Sequence, residues 1–232
     1  MSAQNASKKN AIIVGILFII ATAFLFIGEA FVEPILNAPD FLETSYPNRI
    51  TATIGMLIEF TCVLAIILIP VFAFPVLKRY SEPLALGYVV IRLFEAVLFV
   101  IVDINKLSLI NVSEGYSTGG ADAAFVQNMG SLVQAWNMWA WVFYVLVFAI
   151  GALIFYTALY QSKLVPRWIS GWGWIAAILI MINALMTMFE VNLPETMFGL
   201  LVLPIAVQEM VMALWLIIKG FNTSALDAEV AK

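Results

Sequence analysis

The chain has 232 residues, 63% of them hydrophobic and 11% charged, with a mean hydropathy of +1.01. A soluble domain is about 45–50% apolar and about 25% charged, so this balance excludes an ordinary globular core and points to a polytopic membrane protein. The net charge of −4 gives no basic footprint for nucleic acid; the absence of histidine removes the commonest general base and transition-metal ligand; and the single cysteine, Cys62, permits neither an internal disulfide nor a cysteine zinc site.

Six apolar stretches follow one another, at 11–36, 50–74, 84–111, 131–160, 168–189 and 196–219. Each is long enough to cross a hydrocarbon core of about 30 Å at about 1.5 Å per residue. Lys8 and Lys9 precede the first stretch as in a signal peptide, but the run is too long for a signal core and no small-x-small cleavage site follows, so it reads as a retained span. The connection at 37–49 is punctuated by Pro39, Pro47 and Asn48, and Asp40 with Glu43 has the spacing of a capping box for one short turn. In the second span Pro70 predicts a kink and Pro75 a stop. A short loop at 76–83 carries Lys78 and Arg79. Residues 112–130, rich in Ser, Gly and Asn and lacking Lys and Arg, read as the longest connection. The fourth span opens on Trp136, Trp139 and Trp141, and a short basic loop at 161–167 leads to the fifth. A tight turn at 192–195 precedes the sixth, where Pro204 predicts a break with free carbonyls five residues before Glu209. The tail at 220–232 is polar, and no linker divides the chain, which reads as one domain. Two hairpins share a loose pattern of a basic loop, a proline and then Gly87 or Gly173 beside an aromatic.

Lysine and arginine fall on one side. Lys8, Lys9, Lys78, Arg79, Lys163, Arg167, Lys219 and Lys232 flank the ends that share a face with the termini, against only Arg49 at the other. The positive-inside rule then gives a six-transmembrane-helix bundle in the cell membrane with both termini cytoplasmic. Trp168, Trp172, Trp174 and Trp215 fall at the inner interface and Trp136 and Trp139 at the outer one, as an aromatic belt.

The third span carries four charges, Arg92, Glu95, Asp103 and Lys106, on one helical face about 80° wide. An ionic face of this kind packs against other helices or lines a wet cavity. Counted from the basic ends, Arg92, Glu95 and Glu209 lie about 12–16 Å in, Asn183 about 22 Å, and Glu29, Glu59 and Asp103 about 24–28 Å. Glu33, Lys106 and Glu190 fall at the outer rim. In the inner layer Arg92 reaches Glu95 three residues on, and Glu209 can complete an ion-pair network. A lone arginine at that depth costs about 2.5–3.5 kcal/mol on insertion scales, which two carboxylates offset. The network can serve helix packing alone, or form a site for an anion, a head group or a proton relay. In the outer layer Glu29, Glu59 and Asp103, with Asn183 at nearly the same depth, have Lys106 as their only base, one turn further out; a proton or a bound cation would balance them. Glu29 also shares a face of the first span with Gly15, Thr22 and Glu33.

No phosphate-binding loop, dinucleotide-binding glycine pattern, nucleophile elbow or zinc-protease motif is present, and neither a cofactor nor a metal set is implied. Four segments, EPILNAPD (33–40), FPVLKRYSEPLALGYVVIRLFEA (74–96), LVPRWISGWG (164–173) and PIAVQEMVMALWLIIKGFN (204–222), together resemble the bacterial membrane family catalogued as domain of unknown function 4386. Arg92, Glu95, Gln208 and Glu209 fall inside them. The resemblance implies a bacterial multi-span protein and supplies no activity. The acidic excess favours a small proton- or cation-linked transporter of a small molecule. The alternatives are a non-catalytic binding or sensory module for a lipid or a partner protein, and an intramembrane acid–base enzyme, which the missing histidine and nucleophile motifs disfavour.

Overall fold

The computed structural model describes residues 3–119, 122–191 and 194–224. Within them the chain is all-helical: α1 (Ala3–Leu36), a single turn α2 (Phe41–Thr44), α3 (Arg49–Leu77), α4 (Glu82–Ser117), α5 (Ala123–Ser162), α6 (Arg167–Met188) and α7 (Glu195–Ile218). All but α2 are long and apolar enough to cross a membrane, which makes this a six-span, multi-pass protein. Large apolar side chains such as Leu57, Val90, Leu93 and Leu200 face outward, as lipid in place of water requires.

Each spanning helix packs against the next in the chain, and α7 returns to α1, closing a ring. α1 and α4 touch only slightly across it. The ring's inner faces therefore converge on a central space rather than on a seventh helix. The backbone N–H of Asn222 donates to the Leu164 carbonyl at 2.8 Å, joining the segment after α7 to the α5–α6 turn. This end, where Lys8, Lys163, Arg167 and Lys219 gather, is the basic end.

Several local expectations change. Residues 112–130 are not a long loop: α4 continues to Ser117 and α5 begins at Ala123. At about 1.5 Å per residue the two helices reach about 54 and 60 Å, well past a hydrocarbon core of about 30 Å. Their mutual packing, with Gly130 seated against the Phe41 ring, overrides the weak helix propensity of Ser, Gly and Asn. Pro75 does not end α3, which runs to Leu77, and Pro204 does not break α7, which is helical on both sides of it. A proline removes one backbone bond, and packed neighbours in a bundle tolerate that. α2 forms where the short turn was expected, but Asp40 makes no side-chain cap. Ser113 of α4 holds the segment instead: its Oγ donates to the Leu42 carbonyl at 2.7 Å and accepts from the Tyr46 N–H at 2.9 Å. The polar start at 1–10 is mostly helical, α1 beginning at Ala3. Residues 1–2, 192–193 of the expected turn and 225–232 of the expected tail lie outside the described residues.

The basic half of the ring is filled by aromatic packing. Phe155 stacks on Tyr88 with ring centroids 4.6 Å apart and on Phe18 at 5.8 Å, and Tyr156 packs beside it. The Tyr156 hydroxyl donates to Gln208 Oε1, and Gln208 Nε2 donates to the Ile169 carbonyl at 3.0 Å. Gly173 makes this possible: a Cβ there would lie 2.5 Å from the Tyr156 ring. Gly87, its counterpart in the loose hairpin pattern, meets nothing within 4 Å, so the two glycines do different work.

Candidate functional site: a polar cavity inside the helix ring

Above the aromatic layer the ring opens into a cavity of about 600 Å³. It extends from Asn37 and Gln134 at the far end to Arg92, Glu95 and Glu209 at its floor, with contributions from all six spanning helices. Its walls are aromatic and aliphatic, including Trp141, Tyr144 and Phe148. Trp141, which the sequence places with the outer aromatic cluster, turns inward and packs on Tyr144 at 5.1 Å, and Tyr144 stacks on Phe99 at 4.8 Å. Trp136, Trp168 and Trp174 stay exposed on the outer surface, as belt residues should.

The floor follows from the α4 sequence. Arg92 and Glu95 are one helical turn apart, so their side chains meet. Arg92 Nη1 donates to both carboxylate oxygens of Glu95, at 3.0 and 3.1 Å, with both residues buried. The guanidinium also lies 5.9 Å from the Tyr88 and Phe148 ring centres, and its Nε has no partner. Glu209 was expected to complete an ion pair with Arg92. It accepts a hydrogen bond from Thr22 Oγ1 of α1 at 2.8 Å; Arg92 makes its salt bridge with Glu95, while its charge also acts on Glu209. The floor thus holds one closed ion pair and one carboxylate secured by a hydroxyl.

The outer layer is tighter than its sequence spacing suggests. Lys106 is not at the rim but buried among the acids, its residue 5% exposed. Its Nζ donates to Glu29 Oε1 at 2.9 Å and to both Glu59 oxygens at 2.9 and 3.0 Å, and lies 3.9 Å from Asp103 Oδ1. The lysine's flexible stem carries its charge back one turn to the carboxylates. Glu59 and Asp103 are within hydrogen-bonding reach of each other, while Asp103 Oδ1 has no donor. Two glycines bring α1 and α3 close enough for this: a Cβ on Gly28 would fall on the Glu59 side chain, and one on Gly55 would lie 2.9 Å from the Gly28 carbonyl. Among the described residues no group of three His, Cys, Asp or Glu side chains is arranged to hold a metal ion.

The structure therefore brings Glu29, Glu59 and Asp103 together around Lys106, with Glu29 also facing the cavity. Asn183 lines the same cavity from α6, 8% exposed, its Oδ1 without a partner. Of the face read on the first span, Thr22, Glu29 and Glu33 line the cavity, whereas Gly15 packs against α7. The aromatic plug, with Gln208 and Tyr156 at its centre, was not foreseen. Its one sequence signal was a glutamine in an apolar helix at a depth where an amide needs a buried partner.

The model of the family described as domain of unknown function DUF4386 matches residues 13–220. The chain belongs to the DUF4386 family. The match spans every residue of the floor and of the outer layer, so the cavity lies wholly within the DUF4386 domain. No curated protein and no solved structure shows significant similarity to this DUF4386 chain.

Proposed function

We propose that this DUF4386 protein is a small proton-linked permease of a bacterial inner membrane, with its basic end and both termini in the cytoplasm. The observation that carries the reading is a cavity of about 600 Å³ inside the helix ring, with Glu33, Glu29, Glu95 and Glu209 among its largely apolar lining. A cavity of about 300–1,000 Å³ with apolar walls and a few placed polar groups suits a small molecule. Proton linkage draws support from the outer layer. There three carboxyls surround one ammonium, and a proton held between Glu59 and Asp103 would supply the donor that Asp103 Oδ1 lacks. The Lys106 ammonium already occupies the centre of the acids, which favours a proton over a metal cation as the linked ion. The basic half of the ring is plugged by Phe18, Tyr88 and Phe155, as one access state of a carrier requires.

The blind end also favours a second reading, a non-catalytic binding module whose cavity never opens on the basic side. Reconstituted vesicles with a pH-sensitive dye inside and an imposed pH gradient separate the two. A carrier moves protons when a member of a panel of amines, carboxylates or sugars is added, and Glu59→Gln with Asp103→Asn reduces that response. A response equal to that of protein-free vesicles for every compound overturns the permease reading and leaves the binding module.

A further inference from the structure

Taking the cavity as the ligand site proposed above, we infer that its ligand is an amphipathic organic cation, anchored by Glu209 and walled by aromatic rings. The cavity lining includes four carboxylates, Glu29, Glu33, Glu95 and Glu209, and two bases, Arg92 and Lys106. Each base is paired with a carboxylate: Arg92 holds Glu95 at 3.0 Å, and Lys106 holds Glu29 and Glu59 at 2.9 Å. Glu33 sits near the mouth; at depth, Glu209 is the lining carboxylate whose hydrogen bond comes from a neutral hydroxyl, Thr22, and it shares the Arg92 charge with Glu95.

The neutral polar groups lean the same way. Asn137 and Asn183 both line the cavity, and the Oδ1 of each lacks a donor. Asn183 is 8% exposed. A ligand that brings positive charge or N–H groups supplies what this lining lacks; an anion would add to the surplus. Arg92 Nε also has no partner, and the guanidinium carbon lies 5.9 Å from the Tyr88 and Phe148 ring centres. Trp141, Tyr144, Phe148 and Phe198 present aromatic surface above Glu209, and ring faces attract cations most strongly where water is excluded.

Tetraphenylphosphonium and tetraphenylborate test this as a pair, being close in size and shape but opposite in charge. Equilibrium dialysis of each, radiolabelled, is run against the detergent-solubilised protein with no gradient applied. Tetraphenylphosphonium is expected to bind saturably, one per chain, with an affinity that falls about tenfold or more in Glu209→Gln. Glu209→Asp is expected to retain binding, and unchanged tryptophan melting curves establish that both variants are folded. Absence of saturable cation binding, equal binding in Glu209→Gln, or preferential binding of tetraphenylborate overturns the inference. Glu209-dependent binding without flux in vesicles refutes transport and leaves the cation site standing. Flux that neither tetraphenylphosphonium nor Glu209→Gln affects refutes the cation site and leaves transport standing.

Discussion

Replacing Lys106 with methionine tests the outer layer most sharply. The ammonium lies 2.9 Å from Glu29 and 2.9 Å from Glu59, and Glu59 is completely buried between α1, α3 and α4. Methionine keeps the stem's volume and removes the charge. Glu29 is partly exposed to the cavity, its side chain at 26%, and can turn to water; Glu59 cannot. Breaking a buried pair by removing one partner costs about 3–5 kcal/mol, because the other charge is left without compensation. For a chain of this size that corresponds to a melting temperature lower by about 6–20 °C. Intrinsic tryptophan fluorescence during heating in detergent measures it. Glu59→Gln added to Lys106→Met removes the stranded charge and is expected to restore more than half of the loss, a coupling that a double-mutant cycle isolates. If Lys106→Met melts within about 2 °C of the parent, or if Glu59→Gln deepens the loss, the layer is not held together by this lysine.

Other variants probe the elements around the cavity. Tyr156→Phe leaves Gln208 Oε1 buried without its donor and should destabilise by about 1–3 kcal/mol, read as a lower melting temperature in the same assay. Gly173→Ala forces the Tyr156 ring aside and should cost a similar amount, about 1–3 kcal/mol. Ser113→Ala removes the two hydrogen bonds that tie the α2 segment to α4; protease cleavage at 38–48 should rise while the melting temperature of the bundle drops by only a few degrees, consistent with a loss of about 1–2 kcal/mol. Gly28→Val pushes α1 from α3 at the Glu59 contact, and it should lower the yield of folded protein on size-exclusion chromatography.

The six spans were legible because each crossing needs a long apolar run, and only helices or closed barrels satisfy backbone groups in lipid. The shared face of Arg92, Glu95, Asp103 and Lys106 was equally legible, since helical periodicity fixes it without knowledge of neighbours. What periodicity does not fix is reach. Lys106 was assigned to the rim by the height of its Cα, yet its stem delivers the charge to Glu29 and Glu59 below. Glu209 was assigned to Arg92 by equal depth, and the Arg92 charge does act on it, but depth does not foretell its hydrogen bond, which comes from Thr22 on the adjacent α1. The extension of α4 and α5 past the membrane was hidden for a similar reason. Residues 112–130 have loop-like composition, and their helicity comes from tertiary packing. The aromatic plug depends on Gly173 admitting one ring, a contact between α5 and α6 that no local pattern announces.

The central claim is that the ring encloses a wet cavity ending at the Glu209 layer and closed toward the basic end. Cys62 is the sole cysteine and is buried, so Cys62→Ala gives a silent background for labelling. In that background Ala206→Cys, whose parent residue lines the cavity one turn from Glu209, is exposed to a membrane-impermeant maleimide from each face of sealed vesicles in turn. Modification is expected from the face opposite the basic end, slowed by tetraphenylphosphonium. An unreactive thiol, or one modified only from the basic face, would contradict it.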